Sequence, residues 1–266
     1  MLNKRPDGYH NINTIFHKIN FYDEIIIENN SKFELECYPD LNIPIENNLI
    51  FRSTTALANH HEVDLFPIKL TVKKSIPTGA GLGGGSSNAA YTLIGIDKFL
   101  NLKTEKKDLL EIAQNLGSDV PFFIGDTNTA LGSGRGEILE FLQYTLPYSI
   151  LLIFPQIHVS TPKAYSSLNR SNTNYASFDF RSVLVNDQTN TESLKVIFND
   201  FEESVFNMYP VLSEIKGLLI ESGAIHSLMS GSGSTIFGLF ETQEKAKNAQ
   251  NILSSYRSQI CNSLLY

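Results

Sequence analysis

Ile76 to Tyr91 reads IPTGAGLGGGSSNAAY, with five glycines between Gly79 and Gly85 and then Ser86, Ser87 and Asn88 ahead of helix-forming residues. Glycine loses more conformational freedom on folding than any other residue, so a run this dense needs a use. A backbone free of side chains can close around a ligand and converge its N–H groups on phosphate oxygens. A helix starting directly afterwards adds unpaired N–H groups and the positive end of its dipole. The Ser and Asn side chains add hydroxyl and amide donors, so the chemistry is that of nucleotide phosphate binding. No Gly-Lys-Ser/Thr follows, which excludes a Walker loop. GAGLGG has the glycine spacing of a dinucleotide fingerprint, but no early βαβ unit surrounds it and no acid sits where a ribose needs one. The second group with chemical potential is Asp119 in GSDVPFF. An Asp between a helix stop and a proline either caps a turn or takes part in proton transfer, and the residues alone leave both open.

The elements around these groups follow from periodicity. Residues 14–36 alternate and are rich in β-branched and aromatic residues, which predicts two or three strands with an Asn-Asn-Ser turn. NNLIFRSTTALANHH predicts a short amphipathic helix, PIKLTVKKSIP a strand, and Ser87 onwards a helix through Ala89, Ala90, Leu93, Ile94 and Phe99. Thr104 is the expected N-cap of a further helix that stops at Gly117. After TLPY the strand SILLIF begins, and Thr161 to Leu168 reads as a short helix. Ser171 to Asn190 is polar and reads as a surface excursion. Helices are expected near 192–208, 211–222 and 243–255, with strands at 225–230 and 235–240 around a tight GSGS turn. Mixed strands and helices of this kind predict an α+β chain of two lobes, residues 1–147 and 148–266, divided near Pro147.

Composition narrows the partners. The 266 residues are 42% hydrophobic and 18% charged with a net charge of −7, and no Lys/Arg cluster appears, which argues against nucleic acid and acidic membrane surfaces. No apolar run approaches the roughly 18 residues of a membrane span, and MLNKRPDGYH lacks the apolar middle of a secretory signal. Cys37 and Cys261 have no metal-ligand spacing and read as reduced thiols of a cytoplasmic protein. His60, His61, Glu62 and Asp64 read as a solvated surface turn.

The glycine loop resembles the phosphate-binding motif of the GHMP kinase superfamily. LGSDVPFFIG (Leu116 to Gly125) is similar to the superfamily's acid-bearing helix end, and MSGSGSTIFGLF (Met229 to Phe240) to its third, glycine-rich motif. The three stand in the superfamily's order across most of the chain. KRPDGYH (Lys4 to His10), by itself a turn in which Pro presets φ and Asp-Gly supplies positive φ, resembles the signature of the 4-diphosphocytidyl-2-C-methyl-D-erythritol kinases within the superfamily. VSTPKAY (Val159 to Tyr165) resembles that family's cytosine-binding segment.

The resemblance implies a two-lobed fold, the first lobe like ribosomal protein S5 domain 2 and the second ferredoxin-like. It implies an ATP- and Mg²⁺-dependent small-molecule kinase acting on a cytidine-diphosphate-linked methylerythritol, working as a monomer or homodimer. Gly79, Gly81, Gly83, Gly84, Gly85, Ser86, Ser87 and Asn88 would hold the ATP phosphates, and Asn48 and Lys74 would lie on the adenine side. Asp119 would be the catalytic acid–base group. Tyr9 and Tyr165 would sandwich the cytosine, with His10 bonded to its polar edge. Thr161 would touch the cytidine or diphosphate, and Gly231 and Ser232 would close over the substrate. No metal ligand is legible, and ALGSGRGEIL (Ala130 to Leu139) reads as a hairpin without a catalytic role.

The family's first strand normally precedes KRPDGYH and carries a lysine and an asparagine near the reacting hydroxyl; here only Met1, Leu2 and Asn3 stand ahead of Lys4. Lys4 belongs to the turn and does not take that role. Two readings therefore stay open at this point: an active kinase, or a nucleotide-binding protein of the same fold with little turnover. A third, a homoserine or mevalonate type of kinase, conflicts with KRPDGYH and the Tyr9/Tyr165 pair.

Overall fold

A computed structural model describes residues 1–2, 5–6, 10–168, 179–186 and 191–264. Three strands come early: β1 (Thr14–His17), β2 (Glu24–Asn29) and β3 (Glu34–Tyr38), the last two flanking the expected Asn-Asn-Ser turn. They do not form a hairpin. β4 (Ile68–Lys73) lies between β2 and β3, antiparallel to one and parallel to the other. A parallel pair needs a crossover, and α1 (Leu49–His60) supplies it. β4 alternates strictly, so that Ile68, Leu70 and Val72 are fully buried. They pack with Leu57 of α1 and with Leu93 and Ile96 of α2 (Gly84–Leu100). α3 (Lys106–Leu116) and the single-turn α4 (Val120–Ile124) close this core through Ile112, Ala113, Val120 and Ile124.

β5 (Thr129–Ser133) and β6 (Ile138–Leu142) form a hairpin whose outer partner is β1, giving the order β1-β5-β6. β7 (Ser149–Phe154) then opens a second sheet and is buried on both faces. After it come α5 (Thr161–Ser166), α6 (Thr191–Leu194), α7 (Phe201–Met208), α8 (Pro210–Glu221), β8 (His226–Met229), β9 (Ile236–Phe240), α9 (Gln243–Ile252) and β10 (Arg257–Cys261). The sheet runs β10-β7-β9-β8, all neighbours antiparallel, the strand order of a ferredoxin-like lobe. Leu151, Ile153, Ile236 and Phe240 face α7, α8 and α9, where Val205, Leu212, Ile215 and Leu219 complete a second core. The other face presents Ile150, Leu152 and Leu239 toward the first lobe. Among the described residues no helix is long and apolar enough to cross a membrane.

Several expected boundaries move. α2 starts at Gly84, three residues before Ser87, because Gly83 in the left-handed region (φ 65°) turns the chain into the helix. Thr104 does not cap α3: the N-cap is Glu105, without a side-chain bond, and the Thr104 hydroxyl instead meets His61 Nε2 at 2.9 Å. The helix expected over 192–208 breaks between Leu194 and Phe201, where Asn199 Oδ1 accepts the Phe201 N–H at 3.0 Å. β10 was not legible. The greater part of the Ser171–Asn190 excursion lies outside the described residues, as do Lys4 and Asp7 to Tyr9; Phe180 and Leu184 are buried.

The chain after β10 ties the two lobes together. Leu264 N–H donates to Lys18 O at 3.1 Å, Asn20 N–H donates to Asn262 O at 3.0 Å, and Ile19 bridges to Ser263. His17 sits under this ladder, with Nδ1 2.7 Å from Thr129 Oγ1 and Nε2 2.8 Å from Ser263 Oγ. Both hydroxyls are also within reach of backbone carbonyls, those of Tyr144 and Leu146. A neutral ring donates from one nitrogen and accepts at the other, so one hydroxyl must turn its proton from its carbonyl to the ring. Burial pushes the His17 pKa down to about 4. The folded ring thus stays neutral where the unfolded one, near pH 6.5, begins to take up a proton. Stability contributed by this neutral ring is complete above pH 6.5 and is lost as pH falls toward 4, by up to about 3 kcal/mol. Urea unfolding from pH 7 to 4 is expected to show this decline, and His17→Gln, which cannot titrate, to remove that part of the slope.

Candidate active site

The glycine loop emerges between β4 and α2, and its geometry explains its composition. Gly79, Gly81 and Gly83 all have positive φ, between 65° and 76°, a region side chains rarely enter. At Gly81 space is also decisive: a Cβ there would lie 2.2 Å from Ser230 O and 2.9 Å from Gly233 O. The loop and the third glycine-rich motif are therefore packed backbone against backbone. Ser230 Oγ donates to Gly81 O at 2.8 Å and Thr235 N–H to Ala80 O at 3.2 Å. Gly231, at φ 55°, comes within the same contact, since a Cβ on it would lie 3.2 Å from Gly81 O.

α2 begins under this loop. Its N-cap is a glycine with no capping side chain, so the first helical N–H groups, those of Gly84, Gly85 and Ser86, lack intrahelical partners. Ser87 N–H already bonds back to Gly83 O, and Asn88 is buried in the helix's first full turn. Seventeen residues of helix stand behind those N–H groups, which makes this end an electropositive seat for an anion.

A cavity of about 2130 Å³ opens beside the loop between the lobes. Its wall brings together His10, Gly79, Gly81, Gly83, Asp119, Thr161, Tyr165, Gly231 and Ser232 from the residues singled out in the sequence. Asp119 is the N-cap residue of α4 and makes no capping bond, so its carboxylate is left to the cavity. Burial raises its pKa above the ordinary 3.8, with a Ser118 hydrogen bond pulling the other way. At the far end of α4, the buried Lys18 ammonium donates to Gly125 O at 2.6 Å, and burial pushes its pKa down to about 8. Cation and helix C-terminus suit each other, so α4 is held at the end opposite Asp119.

The aromatic wall stands across from Asp119. Tyr165 on α5 stacks with His10, ring centres 5.4 Å apart and planes 29° from parallel, and meets Phe201 edge-on at 4.9 Å. Its phenol pKa is raised by burial and then by the negative charge of Asp119, so the two share one electrostatic environment. Thr161 Oγ1 and Ser232 Oγ are 2.8 Å apart, joining α5 to the third motif. Tyr9 lies outside the described residues. His10 is stacked on Tyr165 here, where the sequence led us to expect it at the edge of a bound base.

Asn48 and Lys74 are not on the cavity wall. Asn48 caps α1, its Oδ1 accepting Ile50 N–H at 2.9 Å, and Lys74 is ion-paired with Asp23, both side chains buried. They flank the loop from outside: Asp23 Oδ1 also accepts the Ile76 N–H at 2.9 Å, and Leu49 lies against Gly85. Sequence reasoning missed Arg135 and Gly136. The β5–β6 turn carries Arg135 onto the cavity wall, and a Cβ on Gly136 would stand 3.7 Å from Asp119 Oδ1. It also missed Phe201, since a Phe inside an expected helix reads as an ordinary core residue.

Comparison with known proteins agrees with this geometry. The family of GHMP kinases N terminal domains matches residues 48–126, and that of GHMP kinases C terminal domains matches 181–259. A 4-diphosphocytidyl-2-C-methyl-D-erythritol kinase of Prosthecochloris aestuarii is 39% identical over 265 residues, covering 96% of this chain and 90% of its own. One from Thermodesulfovibrio yellowstonii is 36% identical, covering 100% and 93%. A crystal structure of 4-(cytidine 5'-diphospho)-2C-methyl-D-erythritol kinase superposes with a TM-score of 0.81 at 29% identity, covering 98% and 94%. A glycine loop at a helix start, a half-buried aspartate and an aromatic wall thus occur on a chain alike from end to end to these enzymes. It belongs to the GHMP kinases, in the 4-diphosphocytidyl-2-C-methyl-D-erythritol kinase family.

Proposed function

We propose that this chain transfers the γ-phosphoryl group of ATP to the 2-hydroxyl of 4-diphosphocytidyl-2-C-methyl-D-erythritol, a step in non-mevalonate isoprenoid precursor biosynthesis. The observation that carries the reading is the placement of Asp119 on one cavity wall with both the Gly79–Gly83 loop and Tyr165. The N–H groups of the loop and of Gly84 to Ser86 receive the ATP phosphates, with Ser86, Ser87 and Asn88 adding polar groups at the helix start. Asn48 and Lys74 lie on the loop's outer flank, on the adenine side. Tyr165, braced by Phe201, offers its face to the cytosine together with His10 and Tyr9, while Thr161, Gly231 and Ser232 lie over the diphosphate and the reacting polyol.

Phosphoryl transfer has a loose transition state, so alignment and charge stabilisation supply most of the acceleration. Asp119 accepts the proton of the attacking hydroxyl, and Gly136 leaves room beside its Oδ1 for the acceptor. Arg135, ion-paired with Glu137 at 3.6 Å, brings a guanidinium to a cavity whose ligands carry phosphates, a geometry that favours oxyanions. Among the described residues no three His, Cys, Asp or Glu are grouped to hold a metal by themselves. Magnesium does not require such a group, since it takes most of its oxygens from phosphates and water with one or two from protein. The hydroxyls of Ser86 and Ser87 at the helix start would fit that need, and the ion when bound would neutralise phosphate charge. The net charge of −7 and the free thiols of Cys37 and Cys261 accord with a cytoplasmic enzyme that binds small molecules and not nucleic acid; the family resemblance alone carries the reading as a monomer or homodimer.

The reading is tested by ADP release from Mg-ATP with and without the cytidylyl acceptor: acceptor-dependent turnover is expected, and binding of both ligands without turnover would contradict it. Asp119→Asn should lower kcat by about 10²–10⁴-fold. In the unaltered chain kcat/KM should fall on acidification with an inflection above pH 3.8, because the base must be ionised and burial raises its pKa. Tyr165→Ala should raise the acceptor KM about ten- to a hundredfold with little change in the KM for ATP, as steady-state kinetics would show. Gly81→Ala, forced into positive φ and against Ser230 O, should weaken Mg-ATP binding by about tenfold or more in calorimetry while far-ultraviolet circular dichroism stays unchanged.

A further inference from the structure

The third glycine-rich turn is held from two sides. On its inner side Ser230 and Thr235 bond to Gly81 and Ala80 of the phosphate loop. On its outer side stands Asn199, from the break between α6 and α7. Its Nδ2 donates to Met229 O and to Gly231 O, each at 2.7 Å. A carboxamide has two N–H donors and one carbonyl. Both donors are engaged with the turn, and Oδ1 accepts the Phe201 N–H at 3.0 Å. Glu202 adds a further hold, accepting the Met229 N–H at 2.8 Å while paired with Lys216 at 2.5 Å. Two carbonyls two residues apart thus converge on one amide, and between them the chain must carry Gly231 at φ 55°.

The same short segment reaches the other half of the cavity. Phe201 packs edge-on against Tyr165. It does so through its ring, while its N–H is held by Asn199 Oδ1, so a substitution that keeps an acceptor at position 199 perturbs the turn and spares the aromatic half.

We propose that Asn199 is a positioning residue for phosphoryl transfer. By gripping Met229 O and Gly231 O it sets where Gly231 and Ser232 stand and, through Ser230 and Thr235, how the phosphate loop presents its N–H groups to the nucleotide. The proposal deepens the kinase reading and rests on it. Asn199 acts through the backbone it holds and takes no part in the chemical step.

Asn199→Asp is the sharpest test, made in the full chain. It is nearly isosteric and keeps an acceptor for Phe201 N–H, but it replaces two donors with an anion facing two carbonyls. The Kd of Mg-ATP by calorimetry and the KM for ATP should rise about ten- to thirtyfold, and kcat should fall by a similar factor. The KM for the cytidylyl acceptor should rise less than that for ATP, by about threefold, because Gly231 and Ser232 lie over its diphosphate and polyol while Tyr165 keeps its cytosine, and Phe201→Leu should give the reverse order. Asn199→Ser, which lacks the repelling anion and whose hydroxyl can still accept the Phe201 N–H two residues on, should show the same pattern at lower amplitude, and it serves should the Asp variant fail to fold. Lower thermal stability with both ligands' constants unchanged per folded molecule would overturn the proposal, as would equal weakening of both ligands. Should the unaltered chain bind Mg-ATP yet never turn over, the kinase reading fails, and the proposal is still judged on the Kd of Mg-ATP.

Discussion

The approach of Gly81 to Ser230 and Gly233 sets the terms for the rest of the cavity. A single Cβ at Gly81 would come to 2.2 Å from a carbonyl oxygen, so the two loops can interlock only as bare backbone. That contact joins a loop of the first lobe to a turn of the second, so the placement of the glycine loop is a property of both. An anion-binding helix end needs only its own N–H groups. An anion site that must also point a γ-phosphate toward a carboxylate and a hydroxyl needs a fixed frame on either side.

The two cores supply that frame. In the first lobe the buried residues of β4 hold α1 and α2, and α2 carries the helix start beneath the loop, while α4 in the same core carries Asp119. In the second, β8 and β9 form a hairpin whose turn is the third motif, fixed by Ile236 and Phe240 against α8 and α9. The ladder between residues 18–20 and 262–264 fastens one lobe to the other, with Ile19 on the cavity wall. Distance between loop and turn is thus determined at two places, by the interlock itself and by the chain's C-terminal segment lying along the continuation of β1.

How much of this was legible in the sequence follows from where the physical signal resides. The glycine loop's conformation was readable because its requirement is compositional: positive φ and absent side chains are met by glycine, and the following helix announces itself by periodicity. β4 was readable from its alternation and β7 from its apolar run, and α5 falls within the short helix expected over Thr161 to Leu168. Thr104 misled because a hydroxyl before a helix has two uses, and here His61 took it. Asn48, read as a binding residue from resemblance alone, also caps α1 through its oxygen, a use the sequence did not announce. β10, with Arg257 and Gln259 exposed at the sheet edge, lacks the apolar weight that marks a strand. Asn199, Glu202 and Phe201 were illegible for another reason: their partners, Met229, Gly231 and Tyr165, are distant in sequence, and no local pattern records a bond to another segment's backbone. Arg135 belongs with them, since a hairpin turn reads the same whether its tip faces solvent or a cavity.

The most direct test of the account is a crystal structure of this chain with Mg²⁺, a non-hydrolysable ATP analogue and the cytidylyl acceptor. The account predicts phosphate oxygens within hydrogen-bond distance of backbone N–H groups between Gly79 and Ser86. It also predicts the cytosine against Tyr165 and the acceptor hydroxyl between Asp119 and the γ-phosphate. Phosphates seated away from the loop, or a base stacked elsewhere than on Tyr165, would contradict it.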